Sequence, residues 1–327
     1  MNESLSQIGE KEILNRLKRF MPTGQIEDDT ALINPKNKEL LINTDILVED
    51  IHFNDITSTP KDVGWKAISV NISDLISSGT EEVLGVTVGL IAPQNTAWNW
   101  VEDLYIGMHS ALKTFGGTLI GGDCSQGKQK IISITAIGSV GKLNMHRSNA
   151  LPGDCVISTG PHGLSRLGLA LLENDPSIKT SHISEGLKHE AIKRHQRPLP
   201  AMEALQMLKR SKPNELSWRA AATDSSDGLL NSLIDLANSS NCKIIIDRKN
   251  LPKSINWPEG KKWDSWCING GEDYELIVCL PPSWAKEFIA NYNYGKIIGF
   301  VEEGQANVLW TNGESININE YLPFKHF

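Results

Sequence analysis

Apolar positions along this chain recur with two periods, about 3.6 residues and about 2, and their order predicts the elements. Ile13, Leu17 and Phe20 repeat at helical spacing ahead of Pro22 and predict a short amphipathic helix. "ELLINTDILV" (39–48) is a strand-like run with one acid, Asp45, in its middle. "GWKAISVNISDLISSG" (64–79) places Trp65, Ile68, Ile72, Leu75 and Ile76 at helical spacing, and "VLGVTVGLIAP" (83–93) alternates as a strand. A helix over 97–115 ends at Gly116-Gly117, "TLIGGD" (118–123) is a strand running into a glycine turn, and "KIISITAIGSVG" (130–141) is again a strand.

The character changes at the turn-rich "RSNALPGD" (147–154), which divides the chain into 1–148 and 149–327. Beyond it, "CVISTG" is a strand, "GLSRLGLALLEN" a helix, and a polar helical stretch runs up to "RPLP" (197–200). "AMEALQMLKR" and "DSSDGLLNSLIDLANSS" (224–240) read as helices, and "CKIIID" (242–247) and "YELIVCLP" (274–281) as strands. The order is α+β in two halves. A faint echo, Ser-Asp at a helix in both "NISDLI" (71–76) and "DSSDGLL" (224–230), hints that the halves are related.

Composition narrows the class. With 40% hydrophobic and 22% charged residues, the 327-residue chain reads as a soluble globular protein. A formal net charge of −7 and the lack of any long basic block argue against nucleic-acid binding. Five scattered cysteines without C-x-x-C spacing read as reduced cytosolic thiols. The first twenty residues lack the apolar core of a signal peptide, and no run approaches the roughly 18 apolar residues of a membrane span. A cytoplasmic protein without a membrane partner is expected.

Seven aspartates occupy contexts unusual for surface charge: Asp28 and Asp29 before an apolar run, Asp45 in a strand, Asp74 on an apolar helix, Asp123 after two glycines, and Asp224 and Asp227 in "ATDSSDGLL". Caps and turns are the ordinary explanation, and Asp224, Ser226 or Asp227 could cap a helix beginning near Gly228. Asp45 and Asp74 resist it, because a buried carboxylate without a cation costs several kcal/mol. All-oxygen ligands without a His/Cys cluster select a hard ion, Mg²⁺ or Mn²⁺. Several such ions imply a strongly anionic ligand such as a nucleotide polyphosphate.

Residues 122–128, "GDCSQGK", fit the opening of a P-loop. That motif needs Ser or Thr after its lysine and a helix after its loop, so that the helix N-terminus faces the phosphates. Here Gln129 follows Lys128, and "KIISITAIGSV" alternates as a strand, so the match is accidental.

In order, "EDDTAL", "NTDILVEDIHF", "GWKAISVNISDLISSG", "LIGGDCSQG", "RSNALPGD", "DSSDGL", "GGEDYEL" and the closing "PFKHF" resemble the motifs of the thiamine-monophosphate kinases. The likeness runs from about residue 9 to 327. "GGEDYEL" and the terminal "HF" distinguish it from aminoimidazole ribonucleotide synthase and selenophosphate synthetase of the same superfamily.

The resemblance implies ATP-dependent, direct in-line phosphorylation of thiamine monophosphate to thiamine diphosphate. It also implies a two-domain, aminoimidazole-ribonucleotide-synthase-like α/β fold whose N-terminal sheets pair into a barrel across a homodimer. By similarity, Asp29, Asn43, Thr44, Asp45, Asp74, Asp123, Asp224 and Asp227 would hold several Mg²⁺, with Asp28 behind them. Tyr105, Gly122, Asp123, Arg147 and Ser226 would contact ATP. His52, Glu272, Tyr321 and Phe324 would hold the substrate, and Asp45, Asp74, Asp123 and Arg147 would carry the catalysis. The chain departs from the family at Glu27 and Asn149 (glycines there), Asn43 (serine) and Cys124-Ser125 (threonines). Another acceptor within the superfamily, or a non-catalytic nucleotide–magnesium sensor, remains the alternative.

Overall fold

The computed structural model describes residues 4–8, 12, 16–20 and 39–316 of the 327. Asp28, Asp29, Tyr321 and Phe324 lie outside the described residues, as does Ile13 of the first helical pattern. The chain forms two compact units that divide at Gly141 and Lys142, with Ile76–Gly79 grouped with the second. Among the described residues, no helix is long and apolar enough to cross a membrane.

The N-terminal unit is one sheet with helices on one face. Strands β1 (Leu40–Val48), β2 (Thr80–Ala92), β3 (Leu119–Gln126) and β4 (Ile131–Val140) lie in the order β1-β4-β2-β3. β4 runs antiparallel to both β1 and β2, while β3 pairs parallel to β2. Helices α1 (Pro60–Ser77) and α2 (Trp98–Phe115) supply the apolar cover, and Leu75 of α1 reaches over Gly138 of β4. The two helices approach closely: a Cβ at Gly64 would lie 1.9 Å from the Leu104 carbonyl oxygen, and one at Gly107 2.0 Å from that of Lys61. The opposite face of β1 stays open, with Leu40, Ile42 and Ile46 exposed by 41%, 64% and 52%.

Two expectations shift here. Helix α1 begins a turn earlier than residue 64, because Thr59 and Asp62 cap it reciprocally. Asp62 accepts from the Thr59 N–H at 3.2 Å, and Pro60 sits at the first helical position, where a missing N–H costs nothing. The glycine turn expected at Gly121–Asp123 is instead the middle of β3. A Cβ at Gly122 would fall 2.2 Å from the Val88 carbonyl oxygen, so this glycine lets β3 close onto β2.

The C-terminal unit is built on a mixed seven-stranded sheet. Its strands are β5 (Asn144–Met145), β6 (Cys155–Ser158), β7 (Arg219–Asp224), β8 (Lys243–Ile246), β9 (Leu276–Leu280), β10 (Lys296–Glu302) and β11 (Asn307–Trp310), in the order β11-β8-β10-β6-β9-β7-β5. The helices are α3 (Leu164–Leu172), α4 (Glu185–Gln196), α5 (Met202–Arg210), α6 (Leu229–Ser240), α7 (Lys261–Asn269) and α8 (Pro282–Asn291). Strands β7, β10 and β11 and helices α7 and α8 were not legible from periodicity, since β7 is "RAAATD" and β10 carries a bulge at Ile297–Gly299. The helix expected from Asp224 starts only at Leu229. Asp224 ends β7, and Gly228 precedes α6 without a side-chain cap, so the Ser-Asp echo between the halves has no structural counterpart.

Candidate active site

In the N-terminal unit, β1 and α1 bring four polar residues together. Asn43 Nδ2 donates to Asp74 Oδ2 at 2.9 Å and to Asn71 Oδ1 at 3.1 Å. The Asp45 N–H donates to the same Asn71 oxygen at 3.1 Å, and Asn71 Nδ2 donates to the Ala67 carbonyl at 3.0 Å. Asn71, fully buried, is therefore the post on which Asn43 and Asp45 are hung. Its signal in the sequence was an amide one helical turn before Asp74 within apolar "VNISDLI". Asp45 and Asp74 are half-buried rather than buried as expected. Thr44, on the opposite face of β1, shares a 2.8 Å hydrogen bond with Thr135.

Asp123 belongs to a different place. Asp45 pairs with Ile134, Ile134 with Val88, and Val88 with Gly122, while Asp123 stands one residue on, beside Gly89. Asp45 and Asp123 thus occupy the two edge strands, roughly 14 Å apart at about 4.8 Å per strand spacing. Among the described residues, no three His, Cys, Asp or Glu side chains converge closely enough to hold a metal. Within this unit the residues assigned to magnesium form one pole at Asn43, Asp45 and Asp74 and another at Asp123.

The other N-terminal candidates differ in accessibility. His52 lies in the turn after β1, where its Nδ1 accepts from the Val48 N–H at 3.0 Å, which leaves Nε2 to carry the ring hydrogen of the neutral form. Lys66, 1% exposed on α1, donates to the His52 carbonyl at 3.2 Å, and Glu49 pairs with Lys130 to tie the same turn to β4. Tyr105 is 2% exposed on α2 with its ring 5.7 Å from Phe20, and burial pushes its hydroxyl pKa well up. Tyr105, expected to contact ATP, is thus packed within this chain.

In the C-terminal unit, "DSSDGL" and "GGEDYEL" meet at the end of β7. The Glu272 N–H donates to the Ser226 carbonyl at 2.7 Å, and the Glu275 N–H donates to Ser225 Oγ at 3.1 Å. Ser226 Oγ donates to Asp224 Oδ1 at 3.0 Å, while Asp227 is exposed. Arg147 joins this end of the sheet, with Nε donating to Thr223 Oγ1 at 3.1 Å and Nη1 3.3 Å from Asp235. Its segment is clamped by a pair distant in sequence. Arg219 grips Asp154 through two bonds of 2.7 and 2.8 Å and also donates to the Asn149 carbonyl at 2.8 Å. Asp154 raises the Arg219 pKa further.

The three acids of "GGEDYEL" have three different surroundings. Glu272 keeps its side chain 29% exposed. Asp273 is 5% exposed and accepts from the N–H groups of Gly163 at 2.6 Å and Ser165 at 3.0 Å, satisfying orphan donors at the start of α3. Burial pushes its pKa up to about 7, against the downward pull of those two bonds. Glu275, buried, accepts from Thr159 Oγ1 at 2.8 Å with Arg194 Nη1 at 3.6 Å; burial raises its pKa and Arg194 opposes the rise.

Comparison with known proteins follows the same division. Residues 27–140 match the family described as AIR synthase related protein, N-terminal domain, and residues 152–311 its C-terminal domain. The chain is 55% identical to the thiamine-monophosphate kinase of Prochlorococcus marinus, over 99% of this chain and 98% of that one. It is 33% identical to the thiamine-monophosphate kinase of Synechococcus elongatus, over 100% of this chain and 98% of that one. The solved structure described as AaThiL complexed with AMPPCP and TMP matches with a TM-score of 0.76 and 30% identity, covering 100% of both chains. With likeness of this extent in sequence and fold alike, the chain belongs to the thiamine-monophosphate kinase family.

Proposed function

We propose that this chain transfers the γ-phosphoryl group of ATP directly to thiamine monophosphate, giving ADP and thiamine diphosphate. The observation that carries this is 55% identity across 99% of the chain to a thiamine-monophosphate kinase. The whole-chain match to AaThiL complexed with AMPPCP and TMP supports the two substrates. The attacking atom is a phosphate oxygen already ionised at neutral pH, so no general base is required. The barrier lies in bringing two anionic phosphates into line.

The oxygen-rich groups fit Mg²⁺. Besides carboxylates, the pole at β1 holds Asn43 Oδ1, a buried carbonyl oxygen without a hydrogen-bond partner and so an available hard ligand. Asn43, Asp45 and Asp74 would hold an ion in the N-terminal unit; Thr44 and Asp123 of that unit, and Asp224 and Asp227 of the C-terminal unit, are assigned to magnesium by similarity. Asp29 is assigned with them by similarity. Magnesium, when bound, neutralises the facing phosphates and aligns them. Arg147, a permanent planar cation, takes a nucleotide phosphate beside Ser226, and Gly122 and Asp123 complete the nucleotide contacts. His52 and Glu272 hold thiamine monophosphate, whose thiazolium suits an acid and the aromatic faces of Tyr321 and Phe324.

A homodimer belongs to this reading. The exposed Leu40, Ile42 and Ile46 form an apolar face of the kind that a second sheet covers. Asp45 and Asp123 sit on opposite edges of one sheet, so a second copy is also how both could serve one nucleotide. Five free cysteines, three of them buried, accord with a reducing cytoplasm.

The test is ADP release from purified protein with ATP and Mg²⁺, with and without thiamine monophosphate. Release that depends on thiamine monophosphate is expected. Equal release without it, or none with it, would refute the assignment.

A further inference from the structure

Glu272 is held from three directions. Its backbone φ of 64° lies in the left-handed region, an uncommon place for a glutamate, and its N–H is fixed on Ser226. Its Oε2 lies 3.5 Å from Ser165 Oγ, in the first turn of α3, and 3.5 Å from His195 Nδ1, in the last turn of α4. Ser165 Oγ and His195 Nδ1 are themselves 3.0 Å apart. Ser165 is 1% exposed and His195 4%, so the triangle lies inside the protein, with only the Glu272 side chain reaching out. The backbones behind it are fixed too: a Cβ at Gly168 of α3 would lie 2.2 Å from the Ala191 carbonyl oxygen and 2.9 Å from His195 Cβ.

Charge decides where the hydrogens lie. A lone pair on His195 Nδ1 would face the carboxylate oxygen and be repelled, whereas an Nδ1–H donates toward Ser165 Oγ and Glu272. The single hydroxyl hydrogen of Ser165 then points to Glu272 Oε2. A Ser-His-acid set invites comparison with a nucleophilic triad, but there the serine and the acid use different ring nitrogens. Here both meet Nδ1, so the histidine cannot take the serine's proton while donating to the acid.

We propose that His195 and Ser165 are positioning residues for the substrate, fixing the Glu272 carboxylate toward the cationic ring of thiamine monophosphate. The proposal rests on the assignment of Glu272 to that substrate. Removing either donor leaves the carboxylate in place but loosens its aim. The loss therefore falls on the affinity for thiamine monophosphate and spares the nucleotide.

Steady-state kinetics of the full chain, with each substrate varied in turn, tests this. His195→Leu and Ser165→Ala should each raise KM for thiamine monophosphate about tenfold, the worth of one charge-assisted hydrogen bond. KM for ATP and kcat should stay within about twofold. His195→Asn, whose amide can donate from near the position of Nδ1, should recover most of the loss. In a Glu272→Gln background, His195→Leu should add nothing further. Unchanged KM for thiamine monophosphate in both single variants, an equal rise in both KM values, or an additive double variant would overturn the proposal. If Glu272→Gln itself leaves that KM unchanged, the assignment of Glu272 falls first. Should His195→Leu not fold, Ser165→Ala, which removes one oxygen, decides the matter.

Discussion

In the N-terminal unit, Asp45 and Asp74 stand half-buried, and neutral amides hold their surroundings: Asn43 bonds Asp74, and Asn71 takes the Asp45 N–H. In the C-terminal unit, the acids that follow Glu272 are inside the fold, Asp273 on the N–H groups that open α3 and Glu275 against Thr159 and Arg194. The first arrangement uses amides as its fixed posts and leaves Asp45 and Asp74 only half-buried. The second spends Asp273 and Glu275 on the scaffold and leaves Glu272 the most exposed of the three acids. Acids that look alike in sequence are thus divided between chemistry and construction, and the two classes should fail in different ways.

The largest effect should come from the first class. Asp45→Asn or Asp74→Asn should lower kcat about a thousandfold while the melting temperature moves by only a few degrees. A variant that loses stability but keeps turnover would erase the contrast between the two regions. Next comes the scaffold. Asp154→Ala leaves Arg219 half-buried without its bidentate partner and should cost about 4 kcal/mol in urea unfolding. A loss within 1 kcal/mol of zero would show that the 147–154 segment is held by other means.

Smaller effects should appear in the pH dependence of stability around the start of α3. His162 is fully buried, and burial pushes its pKa from 6.5 down to about 4. Between those values the unfolded chain binds a proton that the folded chain does not, so its contribution is lost as pH falls from 6.5 toward 4. Asp273, raised from 3.8 to about 7, has the opposite sign: the folded chain keeps the proton, and stability is lost as pH rises through that window. His162→Gln should flatten the acid-side fall and Asp273→Asn the opposite one, each read as melting temperature against pH relative to the parent chain. Parallel curves for either pair would contradict the burial argument. The smallest effect is expected at Lys128, exposed in the β3–β4 connection. Lys128→Ala should change kcat/KM by less than about twofold, where a P-loop lysine would cost several orders of magnitude.

Local pattern revealed the strands and helices that bury one regular face, and it correctly refused the P-loop, since β4 follows where a helix would be required. It failed where the decisive partner is distant in sequence. Asp273 caps a helix that starts 109 residues earlier at Leu164, and Arg219 clamps Asp154 across 65 residues, and neither leaves a local trace. Asn71 was overlooked for the reverse reason, because an amide inside an apolar helix reads as a neutral filler until β1 is laid beside it. The stretch around Gly122 shows a third kind of error. Its glycines suggested a turn, but Gly122 answers to the Val88 carbonyl of the adjacent strand.

The central claim is direct transfer to thiamine monophosphate, and following the γ-phosphoryl group itself tests it most directly. With ATP labelled at the γ-phosphate, the label should appear in the terminal phosphate of thiamine diphosphate, one equivalent per ADP formed. Label released as inorganic phosphate, or ADP formed without thiamine diphosphate, would contradict the account.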